Sequence, residues 1–163
     1  MMNAKRTEPE IALLLRMIDD AYQKAAWHGP NLRSSIRGVT HREAAWRPKA
    51  GRHNIWEIVV HAAYWKYAVR RRLMGEKVKS FPLKGRNWFE RPDKLSGGAW
   101  REDRRLLEDC HRRLRAAVQE LNRKDLGRKS TGSRVTNAVM IAGIAAHDVY
   151  HAGQIQLLKR LMQ

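Results

Sequence analysis

Two histidines one helical turn apart are the residues of this sequence with the clearest chemical potential. His147 and His151 share one face of a predicted helix with apolar residues that recur every three or four positions. At about 1.5 Å of rise per residue, their imidazoles lie roughly 6 Å apart along the axis on the same side. Two imidazoles at this spacing can bind one divalent ion. Without partners, their buried nitrogens would cost free energy.

A third imidazole stands on a different predicted helix. His61 follows Ile58 by three residues and precedes Trp65 by four, so it shares their inward face. Structural zinc sites usually have four protein ligands, whereas three leave positions open to water or substrate. The sequence therefore predicts an open divalent metal site at His61, His147 and His151. The alternative is that these are core histidines held by hydrogen bonds, because a His-x-x-x-His pair also arises by chance.

Two polar neighbours of this site are candidates for a catalytic role. Asp148 follows the first histidine of the pair, where metalloproteases carry a glutamate base, but the rest of that signature is missing. Gln154, one turn beyond His151, could contact a water at the metal. Glu57, one turn before His61, could orient that imidazole. Its capping-box position explains Glu57 equally well, and we favour the cap.

Four long helices are predicted from segments whose apolar residues recur at helical spacing. The first opens at Thr7 with a capping-box spacing to Glu10, and the second opens with Asn54 and Glu57 at the same spacing. A short helix is expected at about residues 32–37. The long helices are predicted from Thr7 to near Trp27, Asn54 to about Met74, about Trp100 to Leu121, and about Val135 to Leu161.

The arrangement of these helices follows from their apolar faces. Four amphipathic helices bury one face each most simply in a four-helix bundle. A chain of 163 residues can form such a core as one domain, residues 1–163. The connectors on either side of the second helix are long for a compact domain. We therefore predict an all-α four-helix bundle with a long crossover connection.

Residues outside the metal site have simpler interpretations. Cys110 lies on an apolar face and is expected in the core. The segment from Phe81 to Pro92, with Trp88, is interpreted as a lid over the metal or as an oligomer contact. The other histidines are expected to have no role in the site; they are His28, His41, His53 and His111.

Composition limits the compartment and the partners. Lys and Arg total 33 against 16 Asp and Glu, a formal charge of +17, which attracts polyanions such as nucleic acid. Acidic residues interrupt the basic third helix, and no nucleic-acid reading motif is present, so such a partner is an alternative that we do not favour. The single cysteine fits a reducing cytosol. No segment has the apolar length of a signal core or membrane span, so we expect a cytoplasmic protein without a membrane partner.

Three stretches of the chain resemble the DinB superfamily, which includes the YfiT-like proteins. They are Trp46-Arg-Pro, Asn54-Ile-Trp-Glu-Ile-Val-Val-His61 and His147-Asp-Val-Tyr-His151-Ala-Gly-Gln-Ile. The resemblance covers nearly the whole chain. It implies a four-helix bundle with a long crossover, three histidine ligands for a divalent metal, and frequent dimers. Zinc or nickel is the expected ion, with iron or manganese as alternatives.

The resemblance also implies an activity. Relatives in the wider superfamily look like transferases or isomerases that use small thiols such as mycothiol or bacillithiol. We therefore expect a homodimeric, metal-dependent and thiol-dependent transferase or hydrolase that acts on a small molecule in stress or detoxification. The alternative is a non-catalytic stress-response protein with a structural metal, whose basic surface binds nucleic acid or other anions.

Overall fold

The computed structural model describes residues 8–77 and 81–163, and within them it contains seven helices and no strand. The helices are α1 (Pro9–Tyr22), α2 (Leu32–Ser35), α3 (His41–Ala45), α4 (Ile55–Leu73), α5 (Gly97–Gln119), α6 (Arg123–Leu126) and α7 (Asn137–Leu161). The predicted all-α fold is confirmed.

The four long helices pack side by side around a common core. Helix α4 packs against α5 and α7, and α1 packs against α7 and α5. Trp56 centres one apolar cluster, which includes the loop residues Phe81 and Phe89. A second cluster joins Ile11 of α1 to Ile141 of α7. The long crossover stays a prediction. Among the described residues, no helix has both the length and the apolar character needed to cross a membrane.

Side-chain caps set the starts of the long helices. The Asn54 side chain accepts a hydrogen bond from the Glu57 backbone N–H at 2.8 Å, and both halves of the capping box are present. Ser96 caps α5 and Thr136 caps α7. A cap accepts one of the N–H groups that the first turn leaves without an intrahelical partner. The preferred interpretation of Glu57 as a capping residue is confirmed.

The predicted end of the first helix is wrong. Helix α1 ends at Tyr22, because the Asp19 carbonyl closes the last turn by accepting from the N–H groups of residues 23 and 24. Trp27 is fully exposed and lies outside the helix, so continuing the helix would have buried nothing there. The expected Thr7 cap lies outside the described residues. Glu8 occupies the N-cap, and its side chain makes no capping hydrogen bond.

The connectors contain more helix than the sequence suggested. The expected short helix is observed as α2, and its Asn31 cap forms a capping box with Ser34. Helices α3 and α6 were not predicted. Each is only one turn long, so no apolar periodicity marks it, although its capping box is visible in the sequence.

A buried polar cluster crosses the middle of the bundle and draws one residue from each long helix. Lys66 of α4 forms an ion pair with Asp148 of α7, and both side chains are at most 1% exposed. The Lys66 ammonium also lies 4.9 Å from the centre of the Tyr22 ring. His111 of α5 stacks on Tyr22 with ring centroids 3.8 Å apart. Since neither ring nitrogen of His111 has a hydrogen-bond partner among the described residues, this imidazole is poorly suited to carry a charge.

Replacing His111 with phenylalanine should flatten the dependence of stability on pH. Burial, with the nearby Lys66 charge, lowers the pKa of His111 from 6.5 to about 3. Below pH 6.5 the unfolded chain therefore binds a proton at His111 and the folded chain does not. The contribution of His111 to the free energy of unfolding is full above pH 6.5 and is lost as the pH falls toward 3. Between pH 7 and pH 5, His111→Phe should lose about 2 kcal/mol less stability than the unaltered protein in urea unfolding.

The control for this measurement is the exposed His28. His28→Phe should keep the full loss of stability between the two pH values, because the His28 side chain is exposed and loses no contact with water when the chain folds. Equal pH dependence in His111→Phe and the unaltered protein would contradict the assignment of a buried neutral imidazole.

Candidate metal centre

Three imidazole nitrogens converge between α4 and α7. His147 Nε2 lies 3.1 Å from His61 Nε2 and 3.1 Å from His151 Nε2. One ligand atom from each ring lies within 4.8 Å of the other two. Two nitrogens bound tetrahedrally to one zinc ion stand about 3.3 Å apart. The three histidines are therefore close enough to share one ion.

Hydrogen bonds to the outer nitrogens turn two of these rings toward the centre. His61 Nδ1 donates to the Asn87 backbone carbonyl at 2.8 Å, and His151 Nδ1 donates to Gln154 Oε1 at 2.7 Å. With the proton held on Nδ1 in each case, the neutral ring presents the lone pair of Nε2 to the centre. His147 Nε2 faces the Nε2 lone pairs of both His61 and His151, and one proton on it could form a linear hydrogen bond to only one of them. The arrangement therefore fits a cation between the three rings.

The backbone of Asn87 is shaped for its contact with His61. Its φ is 70°, in the left-handed region that few residues other than glycine adopt, although asparagine tolerates it. The Trp65 indole N–H donates to Asn87 Oδ1 at 2.9 Å and holds the residue in place. Sequence reasoning missed Asn87, because the carbonyl used here carries no side-chain signature.

Trp88 lies flat between two imidazoles. Its ring centroid is 3.8 Å from that of His61 and 3.6 Å from that of His53, and the planes are tilted by 9° and 5°. His53, expected to have no role in the site, therefore supports the far side of this tryptophan. The stack places the segment that contains Trp88 over the histidine cluster, as the lid interpretation expected.

Burial keeps all three candidate ligands neutral. It lowers the pKa of His147 to about 3, with repulsion from the other two rings as a further cause. Burial and the neighbouring His61 lower the pKa of His151 to about 4, and burial lowers the pKa of His61. A neutral imidazole is the form that binds a metal, so the protein presents three competent ligands at neutral pH.

The two catalytic candidates are placed differently. Gln154 Oε1 touches His151, while Gln154 Nε2 donates to Tyr150 Oη at 2.9 Å. Asp148 is paired with Lys66 in the interior, and burial raises the pKa of its carboxyl. The structure therefore brings Gln154 to a candidate ligand and leaves Asp148 as half of a buried ion pair. Lys66 was missed, although a charged residue within the apolar stripe of α4 could have signalled a buried partner.

No hydrogen bond joins Glu57 to His61. Glu57 accepts two hydrogen bonds from the Arg47 guanidinium, at 2.6 and 2.9 Å, and a third from His53 at 2.8 Å. Burial opposes ionisation, but these bonds hold the pKa of the Glu57 carboxyl below its ordinary value. Glu57 therefore caps the start of α4 and holds the His53 ring that stacks on Trp88.

Several arginines of the basic surface are paired with carboxylates of the same chain, and others are not. Three arginines of α5 are unpaired: within the described residues, no carboxylate forms an ion pair with Arg101, Arg104 or Arg105. The arginines with intramolecular partners are Arg70 with Glu76, Arg112 and Arg113 with Asp109, and Arg115 with Asp19. This pairing leaves less of the basic surface free than the net charge suggests.

Replacing Gln154 with leucine should weaken metal binding without removing it. The variant loses the acceptor that fixes the orientation of His151, and such supporting contacts are typically worth about 10–100-fold in metal affinity. Competition with a chromogenic chelator measures the change. Gln156→Leu on the same helix is the matched control, because no hydrogen bond joins Gln156 to a ligand among the described residues, and its affinity should be unchanged. Equal affinities in both variants would contradict the role of Gln154.

Comparison with known proteins supports the family resemblance that the histidine spacing indicated. A sequence model of the DinB superfamily matches residues 24–155, which is most of the chain and includes all three histidines. No curated protein and no solved structure matches the chain significantly.

Proposed function

We propose, from the premise that this chain belongs to the DinB superfamily, that it is a metal-dependent enzyme whose divalent ion is bound by His61, His147 and His151. We expect zinc or nickel. The proposed reaction is a thiol-dependent transfer or hydrolysis on a small molecule, in stress or detoxification.

The proposal depends on one observation, the convergence of three neutral imidazoles with no fourth candidate ligand in the part of the chain that the structure describes. The only cluster of three or more potential ligands among the described residues is this one. His147 Nε2 faces both other rings at 3.1 Å, and the outer nitrogens of those rings are already engaged. Three protein ligands are typical of catalytic zinc sites, in which another position takes water or substrate.

The residues around the cluster supply positioning and exclude water. A divalent ion held there would act as a Lewis acid and favour the thiolate form of a thiol. Asn87 and Gln154 hold the protons on the outer ring nitrogens and thereby aim the inner ones. Trp88 covers the face of His61 and lowers access of bulk solvent to it. None of these contacts requires a protein group to change its protonation state.

Spectroscopy of cobalt-loaded protein tests the thiol dependence. Elemental analysis of untagged protein should first give about one divalent ion per chain. N-acetylcysteine should then produce a sulfur-to-cobalt charge-transfer band, whereas N-acetylserine, identical except for the hydroxyl, should not. A spectrum that responds equally to both compounds would reject a thiol ligand and would leave metal binding itself intact.

A structural metal is the second candidate, favoured by the position of the site between two long helices. An ion bound by His61 of α4 and by His147 and His151 of α7 would clamp these helices together. Chelation would then lower the melting temperature. Because a catalytic ion would also stabilise the fold, only the thiol experiment separates the two candidates.

We also propose a homodimer, formed through the outer face of α7. Four apolar residues, separated by eleven, seven and four positions, lie exposed along this helix; Val139, Tyr150, Leu157 and Leu161 are 56–62% exposed. These separations are close to whole helical turns, so the four share one face. Gly153 lies on the same face, and a Cβ added to it would meet nothing within 4 Å. A helix with a second apolar face fits a partner helix, and a two-fold axis lets the same face pair with itself.

Sedimentation measures this assembly. Leu157→Glu should convert a dimer to a monomer, because it places two carboxylates in an apolar contact. Leu95 is similarly exposed, at 57%, but stands in the loop before α5, so Leu95→Glu should leave the dimer unchanged. A monomeric unaltered protein at micromolar concentration would contradict the proposal.

A further inference from the structure

A large cavity lies beside the candidate metal centre. It has a volume of about 710 Å³ and lies between the C-terminal half of α4 and the segment from Phe81 to Arg86. Trp65 forms part of its wall and is also a neighbour of the histidine cluster. The Trp65 ring centroid lies 6.4 Å from that of His61 and 6.5 Å from that of His147.

The charge on the cavity wall has one sign. Arg71, Arg72, Lys84 and Arg86 line it, and no acidic residue does so among the described residues. The nearest candidate for neutralising them, Glu76, forms a two-pronged ion pair with Arg70 instead, at 2.7 and 2.8 Å. Within the described residues, Arg71 donates to the Glu76 backbone carbonyl and forms no ion pair. The described chain therefore provides four cations around one cavity and no carboxylate for them.

The uncharged part of the cavity wall is rich in aromatic side chains. Tyr64 and Phe81 pack edge to face with centroids 5.4 Å apart, and Trp65 continues this surface toward the histidines. A flat apolar group fits against such rings, and a low-dielectric wall strengthens the attraction between an anion and the nearby cations. The cavity thus combines an apolar surface near the metal ligands with cationic side chains.

We propose that this cavity binds a small anionic molecule, with an aromatic or apolar body against Trp65 and a carboxylate or phosphate group at Arg71, Arg72, Lys84 and Arg86. Its assignment as the substrate of the metal centre rests on the proposed function; its binding does not. Guanidinium groups suit both anions because each presents paired N–H donors to two oxygens. Simple attraction of a basic surface to any polyanion would not need the aromatic wall.

Calorimetric titration of the full chain in the presence of EDTA tests this binding directly. The probes are phenyl phosphate and benzoate, with phenol as the neutral aromatic control and inorganic phosphate as the anion without a ring. At least one of the aromatic anions should bind with one-to-one stoichiometry, at least about tenfold more tightly than phenol or inorganic phosphate. The tighter of the two identifies the preferred anionic group.

Charge variants locate the site. Arg72→Gln and Lys84→Gln should each weaken the aromatic anion by about threefold, and the double variant by about tenfold, as expected for partly exposed charges. Arg37→Gln removes the same charge from an exposed position away from the cavity and should change the affinity by less than about twofold. Arg71 and Arg86 are left unaltered because they adjoin the helix end and Asn87.

The outcomes separate this proposal from that of the metal enzyme. No saturable binding, phenol binding as tightly as the anions, or equal affinities in Arg72→Gln and Arg37→Gln would each overturn the anion site. Because EDTA is present, a protein that never binds metal would still show the binding if the cavity is an anion site. A His147→Asn variant should likewise retain it.

Discussion

The His147→Asn variant should lose its metal ion. His147 Nε2 is the atom that both other histidines face at 3.1 Å, so its loss leaves two ligands on two different helices. Supporting residues alone are worth about 10–100-fold in metal affinity, and removing a direct ligand should weaken binding by at least about 100-fold. Elemental analysis after dialysis, and chelator competition, measure the two quantities.

The control for this variant is His41→Asn, which alters a histidine at the start of α3, outside the cluster. It should keep one ion per chain. The melting temperatures of His147→Asn and of EDTA-treated unaltered protein should be similar, which would show that the variant folds. Full metal content in folded His147→Asn would reject the three-histidine site and the enzyme proposal with it.

The Lys66→Met variant should lose about 3–5 kcal/mol of stability, the loss typical of removing one partner from a buried ion pair. Lys66 and Asp148 are 0% and 1% exposed, so water cannot solvate the carboxylate once the ammonium is gone. Asp148 Oδ1 already lacks a hydrogen-bond partner among the described residues. Urea unfolding at pH 7 with EDTA present measures the loss without any contribution from a bound metal.

A double variant distinguishes an unpaired charge from lost packing. Leucine has the same branching and number of heavy atoms as aspartate, so Lys66→Met with Asp148→Leu removes both charges and keeps the shape of both side chains similar. It should regain most of the stability, because an apolar pair can replace a buried ion pair at little cost. Arg16→Met, at the pair with Asp20 where Arg16 is 79% exposed, should cost less than about 1 kcal/mol. A similarly small loss in Lys66→Met would contradict the buried pair.

The candidate metal ligands were accessible from the sequence because they obey helical periodicity. A spacing of four places His147 and His151 on one face, and the neighbouring apolar residues indicate that this face points inward. The same reasoning oriented His61 by its apolar neighbours. Caps such as Asn54 with Glu57 were also accessible, since a cap and its partner are separated by only three residues.

The end of α1 shows where local reasoning stops. Apolar residues continue past Tyr22, so the pattern favoured a longer helix, but Trp27 has no core to pack against and is fully exposed. Propensity alone contributes little to a helix end, whereas tertiary burial decides it.

By itself, the sequence determined the helical fold, the start of α4 and the inward face of each of the three histidines, because each depends on residues a few positions apart. Only the tertiary structure decided which groups support those histidines. The Asn87 carbonyl reaches His61 because of a left-handed backbone turn 26 residues away, and Lys66 meets Asp148 across 82 residues. Periodicity gives the face of a helix but neither its distance from a neighbour nor the path of a loop, and those two quantities set the contacts between distant residues.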